Sequence, residues 1–286
     1  MYVEECCLAL LRYILPYCDI DRSGVTIDIG VGTFNFYCSL FNELGFETIA
    51  VEPIACKNLK QICRKQGIKL LQSCVTKTDG IVNIYIGTWQ GQKNTNLCST
   101  RSDWWGVTSE AKQVKSISLP TLLKYAQNKS ITCIKIDVEG AEADIIEQFV
   151  DIQQTQLPVV LVFEYGGGFT KSKRKGGWSP EIYNGTLKCL EILKSLNYKE
   201  IIAIDSSENF LPQVYDLQKL SLFDDIFPEV SEYGNIIATR NHLLSQLDLY
   251  SIIASYGDDY SPSESAQVKK NIFAKILNRL QRVLST

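Results

Sequence analysis

No two cysteines in this chain stand at CxxC spacing, although ten are present, at positions 6, 7, 18, 38, 56, 63, 74, 98, 133 and 189. That absence removes the zinc-ribbon and thioredoxin readings. Several cysteines, such as Cys74 and Cys133, sit in apolar strand-like runs, so buried free thiols in a reducing compartment are expected. Histidine is nearly missing as well. The only one, His242, lies beyond the last expected core strand and is a poor candidate for a catalytic base. No run approaches the roughly 18 apolar residues of a membrane span. The opening MYVEECC carries acids where a secretory leader needs bases, so a cytoplasmic location is expected. Positive charge is not in excess. A net charge of −3 argues against an electrostatic nucleic-acid binder, and no nucleic-acid partner is expected.

What is present fits a globular enzyme-sized chain. Its 286 residues suffice for one large α/β domain plus an extension. Residues 4–17 read as a helix and 25–29 as a short apolar strand. A helix over 34–44 closes at Gly45, a strand follows at 47–51, a helix at 57–66 closes at Gly67, and a third strand covers 68–75. This βαβαβ rhythm predicts a parallel sheet with helices on both faces. Residues 81–86 alternate like an edge strand, and 87–113 read as a polar loop. Further strands are expected at 114–118, 131–137, 159–164, 198–204 and 235–238, with helices at 120–128, 140–150 and 179–196. The expected domain is 1–245. Residues 246–286 form an extension, with a linker at 257–265 and an amphipathic helix at 266–284 whose charges are all basic. That helix is expected to pack on the domain or in a homodimer, with peripheral membrane contact the lesser alternative.

The stretch TIDIGVGTFNFYCSL begins at Thr26 and runs from strand through a glycine-rich turn into a helix. A dinucleotide site wants GxGxxG there. Gly30 and Gly32 supply two glycines, but Asn35 holds the third position. Asp28 ends the strand where a pyrophosphate would approach, and a carboxylate repels an anion. It suits the ammonium, sulfonium and ribose diol of S-adenosylmethionine better. Glu52, with Pro53 behind it, follows the second strand about twenty residues on, where an acid meets ribose hydroxyls. Asp28, Gly30, Gly32, Asn35, Glu52 and Pro53 are therefore the expected cofactor contacts.

IKIDVEGAE, starting at Ile134, is the more specific feature. Lys135, Asp137 and Glu139 alternate, so a persisting strand would place all three on one side, at the carboxyl edge where open α/β sheets bind ligands. With TIDIGVG, VEP (51–53), NLCST (96–100), SLPTLL (118–123) and VVLVFE (159–164), it makes the sequence resemble the FkbM family of S-adenosylmethionine-dependent methyltransferases. The resemblance spans 25–164. It implies a Rossmann-like class I methyltransferase fold with a mostly parallel seven-stranded sheet of order 3-2-1-4-5-7-6. It also implies O-methylation of a small-molecule or glycan acceptor, such as a sugar or polyketide. Two positions depart from the family pattern: the DIGVGTFNFY turn replaces DxGANxGxY, and Pro120 replaces an acid. An NAD-linked oxidoreductase and a non-catalytic binding module are the competing readings.

A hydroxyl acceptor must lose its proton. Asp137 is the leading candidate base, with Glu139 and Glu164 next and Lys135 holding a neighbour in place. No metal is assigned, although Asp137, Glu139 and Glu164 could serve as oxygen ligands. Acceptor contacts are expected from 87–113 and 165–180. There Trp89, Trp104, Trp105 and Trp178 could stack on a ring and KSKRK (171–175) could meet an anion.

Overall fold

A computed structural model describes residues 3–207, 211–249 and 251–252. The expected linker and the amphipathic helix over 266–284 lie outside the described residues. A first compact unit runs through Leu247, and a second begins at Asp248. Everything below concerns the first.

Its strands are β1 (Val25–Ile29), β2 (Glu47–Val51), β3 (Lys69–Leu71), β4 (Cys74–Val75), β5 (Gly80–Trp89), β6 (Gln92–Lys93), β7 (Val107–Ile117), β8 (Ile131–Ile136), β9 (Val160–Gly166), β10 (Glu200–Asp205), β11 (Gln213–Asp216) and β12 (Tyr233–Thr239). The helices are α1 (Val3–Cys18), α2 (Phe36–Glu43), α3 (Lys57–Gln66), α4 (Leu119–Leu123), α5 (Glu142–Ile146) and α6 (Pro180–Ser195). Among the described helices none is long and apolar enough to cross a membrane.

The main sheet has order β11-β10-β12-β9-β8-β1-β2-β3. The segment β3-β2-β1-β8-β9 is parallel, whereas β12 runs antiparallel to both β9 and β10, and β11 antiparallel to β10. The seven-stranded, mostly parallel expectation is thus corrected to a mixed sheet of eight strands. The expected order is contained in it, and β11 adds a polar edge. β1 and β8 are buried along their whole length, as central parallel strands require, and both are rich in β-branched residues.

Alternate residues serve the two faces. Val25, Ile27, Ile134 and Ile136 join Leu119, Leu122, Ile145 and Leu190 in the main core under α4, α5 and α6. The opposite face is covered by α1 and α2, which touch each other, and by α3, whose Leu59 and Cys63 pack with Cys38 and Ala50.

A second, four-stranded sheet of order β4-β7-β5-β6 replaces the expected polar loop at 87–113. The expected strand over 68–75 is split, with β4 belonging to this second sheet. β7 contains the strand expected at 114–118 up to Ile117, but its first part, over 107–113, is largely solvent-exposed and its hydropathy there shows no alternation and no strand signal. All ten cysteines are free.

Candidate active site

The β1 turn closes against the β8 turn. Gly30, at φ 83°, donates its N–H to Val51 O at 2.9 Å, and a Cβ built on it would fall 1.7 Å from Asp137 O. Only glycine allows that approach. Gly32, at φ 63°, donates to Glu52 Oε2 at 2.9 Å. Asn35, at the position of the missing third glycine, takes the left-handed conformation at φ 48°. Asparagine tolerates this region better than most residues. Its Nδ2 donates to Ser39 Oγ at 2.6 Å. On either side, Phe34 and Phe36 are exposed and stack with ring centroids 5.3 Å apart.

Glu52 is buried after β2, and its carboxylate accepts from Gly32 and, at 2.8 Å, from Ile54 N–H. Burial raises its pKa, and the two N–H donors work against that rise. Pro53 is half-buried directly behind it. Asp28 is 1% exposed and lies beneath the turn. It accepts from Cys38 Sγ at 3.2 Å, while its Oδ1 has no partner among the described residues.

β8 does not persist through the second motif. The chain turns at Glu139 (φ 56°) and Gly140 (φ 90°), so Lys135, Asp137 and Glu139 do not alternate on one strand face. Lys135 is 3% exposed, opposite Asp28 in register. Its Nζ lies 2.5 Å from Asp137 Oδ2 and 4.9 Å from the centre of the Tyr37 ring. Burial disfavours the ammonium, but Asp137 and Asp28 outweigh it and hold the pKa above that of ordinary lysine. Glu142 accepts from Val138 N–H at 2.9 Å and Gly140 N–H at 3.3 Å, which fixes the turn.

Burial pushes Glu142 up to about 7, despite those two donors. The folded chain therefore holds this proton between pH about 4.5 and 7, where the unfolded chain has released it. Stability of the ligand-free protein should fall as pH rises through that window. Glu142→Gln keeps an acceptor for the turn and should flatten part of the slope in thermal melts. A melting temperature that climbs across the window instead would contradict the assignment.

Glu164, near the end of β9, completes the site. Ligand atoms of Asp137, Glu139 and Glu164 lie within 4.8 Å of one another, all three residues half-buried. Burial first, and then the Asp137 charge, pushes Glu139 and Glu164 well above the ordinary carboxylate range. Both line a pocket of about 260 Å³ together with Glu232. Its remaining walls include Trp89, Trp104, Trp105 and Tyr233. Three of the four tryptophans singled out in the sequence thus reach the pocket. Trp178 instead is buried at 2% exposure and donates to Glu232 O at 2.8 Å. Of KSKRK, Lys171 is likewise committed to the fold, bonded to Asp224 and to Phe227 O at 2.9 Å. His242 sits beside Glu200 at the start of β10, the opposite end of the sheet from Glu164.

Over residues 25–235 the chain matches the family model described as the methyltransferase FkbM domain. The chain belongs to this family. The match reaches 71 residues beyond the sequence resemblance, from 164 to 235, and so takes in β10, β11 and the first strand residues of β12. No curated protein matches the FkbM chain in sequence. Solved structures with a similar fold include the methyltransferase domain of bacterial CtHen1-C, at 11% identity, covering 83% of this chain and 98% of that one with a TM-score of 0.39. Burkholderia thailandensis 1,6-didemethyltoxoflavin-N1-methyltransferase, solved with S-adenosylhomocysteine, has 10% identity, coverage of 82% and 79%, and a TM-score of 0.37. Geranyl diphosphate methyltransferase, solved with S-adenosylmethionine, has 10% identity, coverage of 82% and 85%, and a TM-score of 0.39.

Four participants in the FkbM site have no role in the sequence reading: Asn96, Ser99, Glu142 and Glu232. Asn96 Oδ1 accepts from Thr33 N–H at 2.8 Å, and Ser99 Oγ donates to Glu139 O at 2.7 Å. The segment between them therefore straps the β1 turn to the β8 turn. Their short polar side chains sit in a segment quoted for the resemblance, and that was the only available signal.

Proposed function

We propose that this FkbM methyltransferase transfers a methyl group from S-adenosylmethionine to a hydroxyl of a small-molecule or glycan acceptor, such as a sugar, polyketide or other secondary metabolite. The reading rests chiefly on the donor set around the joined turns. Glu52 and Asp137 are carboxylates, and the buried cation beside them, Lys135, is engaged by Asp137. A pyrophosphate would meet two negative groups there, whereas a ribose diol and a sulfonium are matched. Gly30 and Gly32 let the β1 turn close against Asp137 and Asn96, which brings Glu52 and Asp137 to one place. The cofactor supplies a methyl group already activated by its sulfonium.

The protein's own work is alignment and proton removal. Glu52 orients ribose hydroxyls with the lone pairs that Gly32 and Ile54 leave free. Asp137, fixed by Lys135, holds a negative charge at the joint of the two turns. Glu164 lines the pocket, and burial with the Asp137 charge raises its pKa above the ordinary carboxylate range, which strengthens it as a base, so it takes the acceptor's hydroxyl proton. Glu139 stands beside it as the second carboxyl.

Calorimetric titration with S-adenosylhomocysteine, with NAD as control, tests the reading: the first should bind and the second should not. Glu52→Ala should weaken S-adenosylhomocysteine by about ten-fold, the worth of a hydrogen bond to a charged group. Undiminished affinity in that variant would remove Glu52 from the cofactor site.

A further inference from the structure

The acceptor pocket has a charge and an aromatic geometry that the methyltransferase reading does not itself require. Three carboxyls line it, and no lysine or arginine does among the described residues. The cation nearest the acids, Lys135, is 3% exposed and paired to Asp137. An anionic acceptor would meet uncompensated repulsion. A cation is the one acceptor charge that carboxylates lining the pocket would attract.

The indoles form a corner. Trp89 meets Trp105 edge-on, with centroids 5.9 Å apart at 85°, and Trp104 lies against Trp105 at 6.1 Å and 52°. The corner is held by bare backbone: a Cβ on Gly168 would come within 2.4 Å of the Trp105 ring. Aromatic faces set at an angle beside carboxyls suit a cation, which the ring quadrupole attracts. A separate observation concerns Trp104, which is 3% exposed. Its Nε1–H lies toward Glu139 but makes no hydrogen bond among the described residues. That buried donor calls for an oxygen acceptor, which Glu139 or a ligand hydroxyl bound beside it would supply.

We propose that the acceptor is a cationic amino alcohol, such as an amino sugar, whose ammonium sits between the Trp89–Trp105 corner and the Glu232 carboxyl, with the reacting hydroxyl between Trp104 and Glu164. The proposal rests on the methyl-transfer reading and narrows its substrate class.

The experiment is a tryptophan-fluorescence titration of the full chain with tetramethylammonium, against tert-butanol as a neutral counterpart and magnesium as a metal control. Tetramethylammonium should give a saturable change and bind about ten-fold more tightly than the alcohol, a difference of cation–π size. Glu232→Gln and Trp89→Leu should each weaken it several-fold, with S-adenosylhomocysteine binding retained as evidence that the variants fold. A flat titration, or an equal response to the alcohol, overturns the proposal. So does a saturable response to magnesium alone, which would assign the carboxyls to a metal ion. Loss of S-adenosylhomocysteine binding in the parent protein, with the tetramethylammonium response intact, would instead sink the methyl-transfer reading and leave the cation pocket standing.

Discussion

Glu164→Gln should lower kcat by about 10²–10⁴-fold, the usual contribution of a general base, while S-adenosylhomocysteine affinity stays close to that of the parent. Glutamine keeps the shape and loses the proton-accepting charge. The expectation follows from position: Glu164 lines the acceptor pocket at the end of β9, and Asp137 is occupied by Lys135. The parent rate should rise with pH as Glu164 loses its proton. The midpoint should lie above the ordinary carboxylate range, because burial and the Asp137 charge favour the protonated form. The variant should lack that limb. Steady-state rates across pH, with any accepted substrate, decide it. Retained turnover in Glu164→Gln together with lost turnover in Asp137→Asn would transfer the base to Asp137.

A second large effect is expected where the two turns touch. Gly30→Ala should destabilise the fold by about 4 kcal/mol. Part of that is the left-handed backbone, at φ 83°, which costs an alanine roughly 1–2 kcal/mol. The rest comes from a methyl group placed 1.7 Å from the Asp137 carbonyl oxygen, a backbone atom in a strand-end turn that cannot swing aside. Gly67→Ala is the matched control. Gly67 also has positive φ, at 70°, but a Cβ there meets nothing within 4 Å. It should cost only the backbone share, about 1–2 kcal/mol. Denaturant unfolding of the two variants gives the comparison directly. If Gly30→Ala proved no worse than Gly67→Ala, the close approach of the turns would be refuted.

How far the sequence revealed these features depended on burial. The parallel half of the main sheet was legible because β1 and β8 are buried on both faces and read as short apolar runs, interrupted only by Thr26, Asp28, Thr132 and Lys135. The hairpin of β5 and β7 was legible only in part. Residues such as Glu110, Lys112 and Gln113 face solvent, so nothing in their hydropathy separates strand from loop. β11 is a polar edge strand and escaped for the same reason. At the site, the acids themselves were visible as residue types at strand ends. Their division of labour was not, because it depends on a turn at Glu139 and Gly140 that breaks the expected alternation. That turn leaves Asp137 with Lys135 and sends Glu139 to Glu164, and only then do the pKa values of Glu139 and Glu164 rise. Asn35 was visible as a departure from a glycine motif, but its left-handed backbone was not.

The strap at Asn96 and Ser99 gives the molecule a natural seam for redesign. Trp89, Trp104 and Trp105 belong to the hairpin sheet or its connections, whereas Gly30, Glu52 and Asp137 belong to the main sheet. The tryptophans of the proposed acceptor pocket and the proposed cofactor turns thus lie on separate pieces of backbone, joined by side chains from one short segment, while the pocket's carboxyls stay with the main sheet. An exchange of residues 89–106 for another sequence could give the scaffold a new acceptor without rewriting the cofactor turns. The replacement would have to keep an amide oxygen for Thr33 and a hydroxyl for Glu139, because those two contacts hold the exchanged piece in register with the piece that stays.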